Sequence, residues 1–199
     1  MKEIVIATNN AGKVKEMKSL FNPLGIEVKC LKDVFENPVD VEENGSTFKE
    51  NAIIKAEAIC KMLGVPVIAD DSGLEIDALN KQPGVQSARF LGHETSYDIK
   101  NSYLLELLRG QSNRLARYVC AMALARPNEE TMVFEDTMEG EIALKAEGTE
   151  GFGYDPIFYV SEAGKTAAMM SLEEKNQYSH RAKATRRLLE VVKEMQKNG

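Results

Sequence analysis

The chain has no apolar run long enough to cross a bilayer. The longest, Val119 to Ala125, is seven residues, against the roughly 20 that a spanning helix needs, so no membrane partner is expected. A charged leader with an apolar core is also missing, because Met1-Lys2-Glu3 runs directly into a short strand-like segment. No signal peptide and a cytoplasmic location are the expectation. Cysteines are few, Cys30, Cys60 and Cys120, and no CxxC pair occurs. That spacing suggests neither a disulfide framework nor a zinc site, and the thiols are expected reduced and mostly in the core. Positive charge is scarce: 25 lysines and arginines stand against 31 acidic residues, a net charge of −6. A nucleic-acid partner is therefore not expected. Any anionic ligand must be met by local cations, or by a metal bridging it to carboxylates. Repeats, low-complexity tracts and linkers are absent, so the 199 residues, 43% hydrophobic, read as one globular domain, simple or two-lobed.

What is present reads as alternating strands and helices. Ile4 to Ala7 suits a buried strand, and Val14, Met17, Leu20 and Phe21 then recur at helical spacing until Asn22-Pro23 and Gly25. Ile26 to Leu31 is a second strand, so the chain opens as an α/β domain. Residues 33 to 47 are acidic and irregular. Thr47 and Glu50 have capping-box spacing for a helix whose inner face is Phe48, Ala52, Ala56, Ile59, Cys60 and Leu63, closed by Gly64 and Pro66. Val67-Ile68-Ala69 reads as a strand ending abruptly in Asp70-Asp71. Pro83-Gly84 predicts a turn, and residues 97 to 109, with Leu104, Leu105, Leu107 and Leu108, a helix. Residues 115 to 125 are apolar on both faces, as a central strand requires. From Met132 to Ala146 the even positions are mainly apolar; fifteen extended residues would span roughly 50 Å, so Gly140 is expected at a bulge, bend or turn. A last helix is predicted from Ser179 to about Lys197, with Ala184, Leu188, Val191, Val192 and Met195 inward.

Four constellations could carry chemistry. Thr8-Asn9-Asn10-Ala11-Gly12-Lys13 joins a strand to a helix N-terminus, where backbone N–H groups and the helix dipole suit an anion. It lacks the GxxxxGK[ST] pattern, and an ordinary βα turn with a surface lysine has the same form. His180 and Arg181 follow Ser179 in the first turn of the last helix, where the dipole disfavours cations; an anionic ligand would remove the conflict, as would exposure to water. Glu42-Glu43 and Asp70-Asp71 are the carboxylate pairs, and hard cations such as Mg²⁺ take one or two carboxylates plus substrate phosphates. A solvated loop and a capped strand end are the plainer readings of these pairs. Finally, GFGYDP offers aromatic faces at Phe152 or Tyr154 for a base, with Gly151 and Gly153 permitting close backbone approach; a structural turn with core aromatics is its alternative.

ATNNAGKVKE, ENGSTFKENAIIKA, IADDSGLEIDAL, PGVQSAR, GFGYDPIF and EEKNQYSHRAKA occur in this order. Together they resemble the inosine/xanthosine triphosphate pyrophosphatases, the Ham1-like non-standard purine nucleotide diphosphatases, over essentially the whole chain. The loop reads TNN where many members have TGN, and SARF where SARY is common.

The resemblance implies a two-lobed α/β fold, a long bent mixed sheet flanked by helices with the active site in a cleft between lobes, all 199 residues forming one catalytic domain, usually as a homodimer. It implies Mg²⁺-dependent hydrolysis of ITP, dITP and XTP to monophosphate and pyrophosphate. Thr8, Asn9, Asn10, Ala11, Gly12 and Lys13 would hold phosphates, with Lys55, on the exposed side of its helix, reaching the phosphate chain. Glu42 or Glu43, with Asp71, would bind the metal. Asp71 would also be general base, Ser72 a substrate contact and Asp70 a supporting carboxylate. Phe152, Gly153, Tyr154 and Asp155 would line the base pocket, approached by Lys175, His180 and Arg181. The related Maf-like pyrophosphatases and a non-catalytic nucleotide sensor are the alternatives; the SHR and GFGYDP motifs favour the first reading over the Maf-like one.

Overall fold

A computed structural model describes residues 3–198, with side chains through Lys193. Met1, Lys2 and the expected inward face of Met195 lie outside the described residues. Among these, eight strands form one mixed sheet flanked by helices, in the order β2-β1-β3-β5-β6-β7-β8 with β4 against β3. The strands are β1 (Glu3–Ile6), β2 (Glu27–Cys30), β3 (Val67–Ile76), β4 (Gln82–Pro83), β5 (Leu115–Ala125), β6 (Met132–Ile142), β7 (Phe158–Val160) and β8 (Lys165–Thr166). The α-helices are α1 (Ala11–Phe21), α2 (Leu31–Val34), α3 (Phe48–Leu63), α4 (Tyr97–Leu107), α5 (Leu172–Tyr178) and α6 (His180–Asn198). β1 runs parallel to β2 and β3, as βα crossovers require, whereas β6, β7 and β8 pair antiparallel.

The chain divides into two compact units. The first takes residues through Asp71, Cys120–Asp136 and the chain from Arg181 on. Its core joins Ile4, Ile6 and Val28 to Met17 and Phe21 of α1, Ile68, Cys120, Met122 and Leu124, and Ala184, Leu188 and Val192 of α6. The second takes Ser72–Val119 and Thr137–His180. It buries Leu74, Ile76, Tyr118, Met138 and Phe158 with Leu104 and Leu108 at the α4 end.

Where local chemistry is strong, the expected elements form. Thr47 accepts from the Glu50 N–H and Glu50 caps the Thr47 N–H in return, opening α3, which Gly64 closes at φ +67°. Cys60 and Cys120 are buried and Cys30 half-buried, all three free. Other expectations are corrected. β3 does not stop at Asp70 but continues to Ile76, because Leu74 and Ile76 enter the second core. β6 ends at Ile142 and passes straight through Gly140. A Cβ there would strike the Tyr159 carbonyl and stand 2.8 Å from the Phe158 ring, so this glycine admits the neighbouring strand. Before α6 lies a separate helix, α5, whose C-cap is Ser179.

Candidate functional site

In the first unit, β1 delivers Thr8 to α1. Thr8 Oγ1 accepts from the Asn10 N–H at 3.1 Å, and Asn10 Oδ1 caps the Lys13 N–H at 3.1 Å. Asn9 is exposed and donates to the Val39 carbonyl at 3.4 Å. Ala11 and Gly12 start the helix, where first-turn N–H groups have no intrahelical acceptor. The loop's own hydrogen bonds thus set its helix-opening form.

Asp70 and Asp71 are adjacent on β3, so their side chains leave it in opposite directions. Asp70 Oδ2 meets Lys13 Nζ at 3.0 Å and Arg181 Nη2 at 3.0 Å, and Arg181 also pairs with Glu16. All except Lys13, whose side chain is 15% exposed, are deeply buried. Burial works against the Asp70 charge, but Lys13, Arg181 and Lys55 overcome it and hold the carboxyl well below the usual range. Burial likewise opposes the Lys13 charge, and Asp70 and Asp71 outweigh it, raising the ammonium pKa. The cation conflict at the start of α6 is thus resolved for Arg181 by the protein's own carboxylates, correcting the expectation of a ligand or solvent there.

Asp71 has a different environment. Asn51 Nδ2 donates to its Oδ2 at 3.1 Å, and Lys55 Nζ stands 3.8 Å from its Oδ1. Burial raises its pKa; Lys55 and Lys13 oppose the rise, and Glu43 adds to it. Lys55 is not on the exposed side of α3. Its side chain is only 11% exposed, 3.3 Å from Glu43 Oε1, and donates to the Asp70 carbonyl at 2.8 Å. Glu43 is half-buried beside this ammonium, and Glu42 is exposed. The cation shared by Glu43 and Asp71 is Lys55. Four carboxylates, Glu16, Glu43, Asp70 and Asp71, outnumber the three cations Lys13, Lys55 and Arg181. With every group charged, the cluster repels a polyphosphate unless further positive charge joins it. Among the described residues no group of three or more His, Cys, Asp or Glu side chains is placed to hold a metal; a two-carboxylate site completed by phosphate and water needs none.

The second unit starts with Ser72, half-buried on β3. Its glycine-rich loop is organised by Asp155, 1% exposed, which accepts from Tyr118 Oη at 3.0 Å, the Phe152 N–H at 3.0 Å and Lys175 Nζ at 2.6 Å. A Cβ on Gly151 would collide with this carboxylate, and Gly151 has φ +73°. Phe152 stays half-buried, with the Lys175 ammonium 5.2 Å from its ring centroid. Tyr154 takes the core alternative: it is 3% exposed, its hydroxyl donates to the Ser87 carbonyl at 2.6 Å, and Tyr97 packs on it edge-to-face. His180 is buried and stacks on Tyr118 at 4.9 Å between centroids. Gly151 is exposed and Phe152 and Gly153 half-buried, whereas Tyr154 and Asp155 are the motif's anchors.

Sequence reasoning missed Glu16 and Asn51. Each is a polar residue on the inward face of an amphipathic helix, and that misplaced polarity was the available signal. Gly45 belongs with Asn51: its N–H donates to Asn51 Oδ1 at 2.8 Å, and a Cβ would lie 2.7 Å from that oxygen.

The Ham1 family model matches residues 4–191. The chain is 54% identical to a dITP/XTP pyrophosphatase of Geobacillus kaustophilus, covering 98% of this chain and 96% of that one. The structure of the Staphylococcus aureus Ham1 protein aligns with a TM-score of 0.86 at 46% identity, over 98% of this chain and 100% of that chain. A HAM1 protein from Coxiella burnetii gives 0.86 at 43% identity, covering 98% and 100%.

Proposed function

Because the chain belongs to the Ham1 family, we propose that it is a nucleoside triphosphate pyrophosphatase, a hydrolase of acid anhydrides that removes non-standard purine nucleotides. Its substrates are XTP, dITP and ITP, each cleaved to the monophosphate and pyrophosphate. The observation that carries the chemistry is the division between the two adjacent aspartates. Asp70 is locked as an anion by Lys13 and Arg181, whereas burial gives Asp71 a raised proton affinity beside Asn51 and Lys55. One carboxylate holds cations in place; the other can accept a proton.

Asp71 and Glu43 are the residues that would hold Mg²⁺, with Glu42 less favourably placed. Bound there, Mg²⁺ would offset phosphate charge and acidify or position a water. Asp71 accepts a proton from the water that attacks the α-phosphorus. The bond from that phosphorus to the bridging oxygen breaks, and the electron pair leaves with pyrophosphate. Lys13 and Lys55 stabilise the charge that develops on the leaving group. The Thr8 to Lys13 turn receives the phosphate chain, and Ser72 contacts substrate. In the second unit, the half-buried Phe152 ring supplies a stacking face for the base beside Gly153, with Lys175 fixed next to it. A donor from His180 or a backbone N–H to the 6-keto oxygen would face another donor in adenine, which disfavours ATP. Arg181 acts through Asp70.

The same proposal includes a homodimer and a cytoplasmic location. Supporting the first, Ile99, Tyr103 and Leu107 make an exposed apolar stripe along α4; supporting the second, Cys60 and Cys120 are free core thiols. No described helix is long and apolar enough to cross a membrane.

The test is product identification with Mg²⁺ across ITP, XTP, dITP, GTP and ATP, using separate detection of pyrophosphate and orthophosphate. Pyrophosphate from the first three is the expected result. Orthophosphate release would indicate a phosphatase, and tight binding without either product a sensor.

A further inference from the structure

α4 packs against the glycine-rich loop through its first turns, with residues other than its leucines. Tyr97 and Asn101 lie one helical turn apart on the same face. The Tyr97 ring packs edge-on against Tyr154 at 5.2 Å, and a Cβ at Gly153 would stand 3.7 Å from it. Asn101 is 4% exposed, and its Nδ2 donates to the Gly153 carbonyl at 3.2 Å.

The other half of this amide is the unusual part. Asn101 Oδ1 is buried with no hydrogen-bond partner among the described residues. A buried acceptor without a donor destabilises a fold, so contribution to stability does not account for an asparagine here. The Gly153 carbonyl does account for it. That carbonyl belongs to a half-buried turn with φ +70°, where an acceptor shielded from water needs a donor. The amide orientation follows, since the reverse would set two acceptors against each other.

We infer that Asn101 is a positioning residue for base selection: it fixes the Gly153 backbone and thereby the face that Phe152 and Gly153 offer to the purine. Asp155 holds the loop at the Phe152 N–H, and Asn101 holds it at the Gly153 carbonyl. With both ends held, the loop is rigid before substrate arrives. A rigid loop can discriminate bases that differ by a single donor or acceptor. The inference rests on the proposal that this loop meets the base.

The test compares wild type with Asn101→Asp, which keeps the shape but turns an acceptor toward the Gly153 carbonyl, and with Asn101→Ser. Pyrophosphate release is measured against concentration for XTP, dITP and GTP, alongside thermal melting. In the folded variants KM for XTP and dITP should rise about tenfold with kcat within about twofold, and the preference over GTP should narrow. Unchanged KM and unchanged GTP discrimination in a folded Asn101→Asp would overturn the inference. So would an equal loss of kcat on all three nucleotides, the mark of a purely structural residue. If Asn101→Asp fails to fold, Asn101→Ser decides by the same criteria. Wild type that releases no pyrophosphate from XTP or dITP would sink the functional reading itself, and this inference with it.

Discussion

Asn51 ties Asp71 to the acidic loop: its Nδ2 donates to Asp71 Oδ2 at 3.1 Å while its Oδ1 accepts from the Gly45 N–H at 2.8 Å. One buried amide therefore fixes both the general-base candidate and the loop that carries Glu43. Replacing it with alanine frees both. At the proposed Mg²⁺ site of Glu43 and Asp71, Asn51→Ala should lower kcat/KM by about 10–100-fold and raise the Mg²⁺ concentration for half-maximal activity, because residues that orient metal ligands carry effects of that size. A metal titration of activity in the purified variant checks this; an unchanged midpoint would exclude the role.

Asp70→Asn and Asp71→Asn should fail in different ways. Asp70→Asn leaves the Lys13 and Arg181 charges poorly compensated, so its main defect should be stability, on the order of 3–5 kcal/mol by denaturant unfolding. Asp71→Asn replaces a carboxylate whose charge burial disfavours, and should melt near wild type or slightly higher while losing turnover. A stable, inactive Asp70→Asn would reverse the assignment.

Arg117 donates to both oxygens of Asp77, at 2.8 and 3.1 Å, and these bonds hold the carboxyl below its ordinary pKa. A carboxyl with a depressed folded pKa stabilises the fold above the unfolded value of about 3.9. That contribution is lost as pH falls toward the folded pKa. The Tm gap between wild type and Asp77→Asn should thus be present at pH 7 and close below about pH 4. A gap that widened on acidification would contradict the sign.

The Cys120 thiol is pushed up to about 12, chiefly by burial, with the Asp70 charge adding to it. Burial also raises the Cys60 thiol. Native protein at pH 8 should therefore react with a thiol reagent mainly at half-buried Cys30, and all three cysteines should react only in denaturant. Peptide mapping of the labelled native protein checks the assignment.

Elements whose formation is governed within a few residues were legible in advance. The Thr47–Glu50 box, the αL stop at Gly64 and the run buried from Tyr118 to Ala125 carry their instructions locally. Gly140 was not legible, because what makes glycine necessary there is the backbone of β7, eighteen or more positions away in the chain. α5 was missed for a related reason: it is only seven residues long, with Ser171 as its cap and little apolar periodicity.

By itself the sequence determined that this is an α/β chain with an anion-suited turn after β1, paired carboxylates at Asp70-Asp71 and a glycine-rich loop, since strand alternation, capping and turn chemistry act over short distances. Only the tertiary structure decided what each charged residue does. It turned Arg181 inward onto Glu16 and Asp70, brought Lys55 to Glu43 and Asp71, and placed Tyr154 and Asp155 in the core. A charge's role depends on its distance to other charges and on the water it has lost, and folding sets both between residues far apart in the chain.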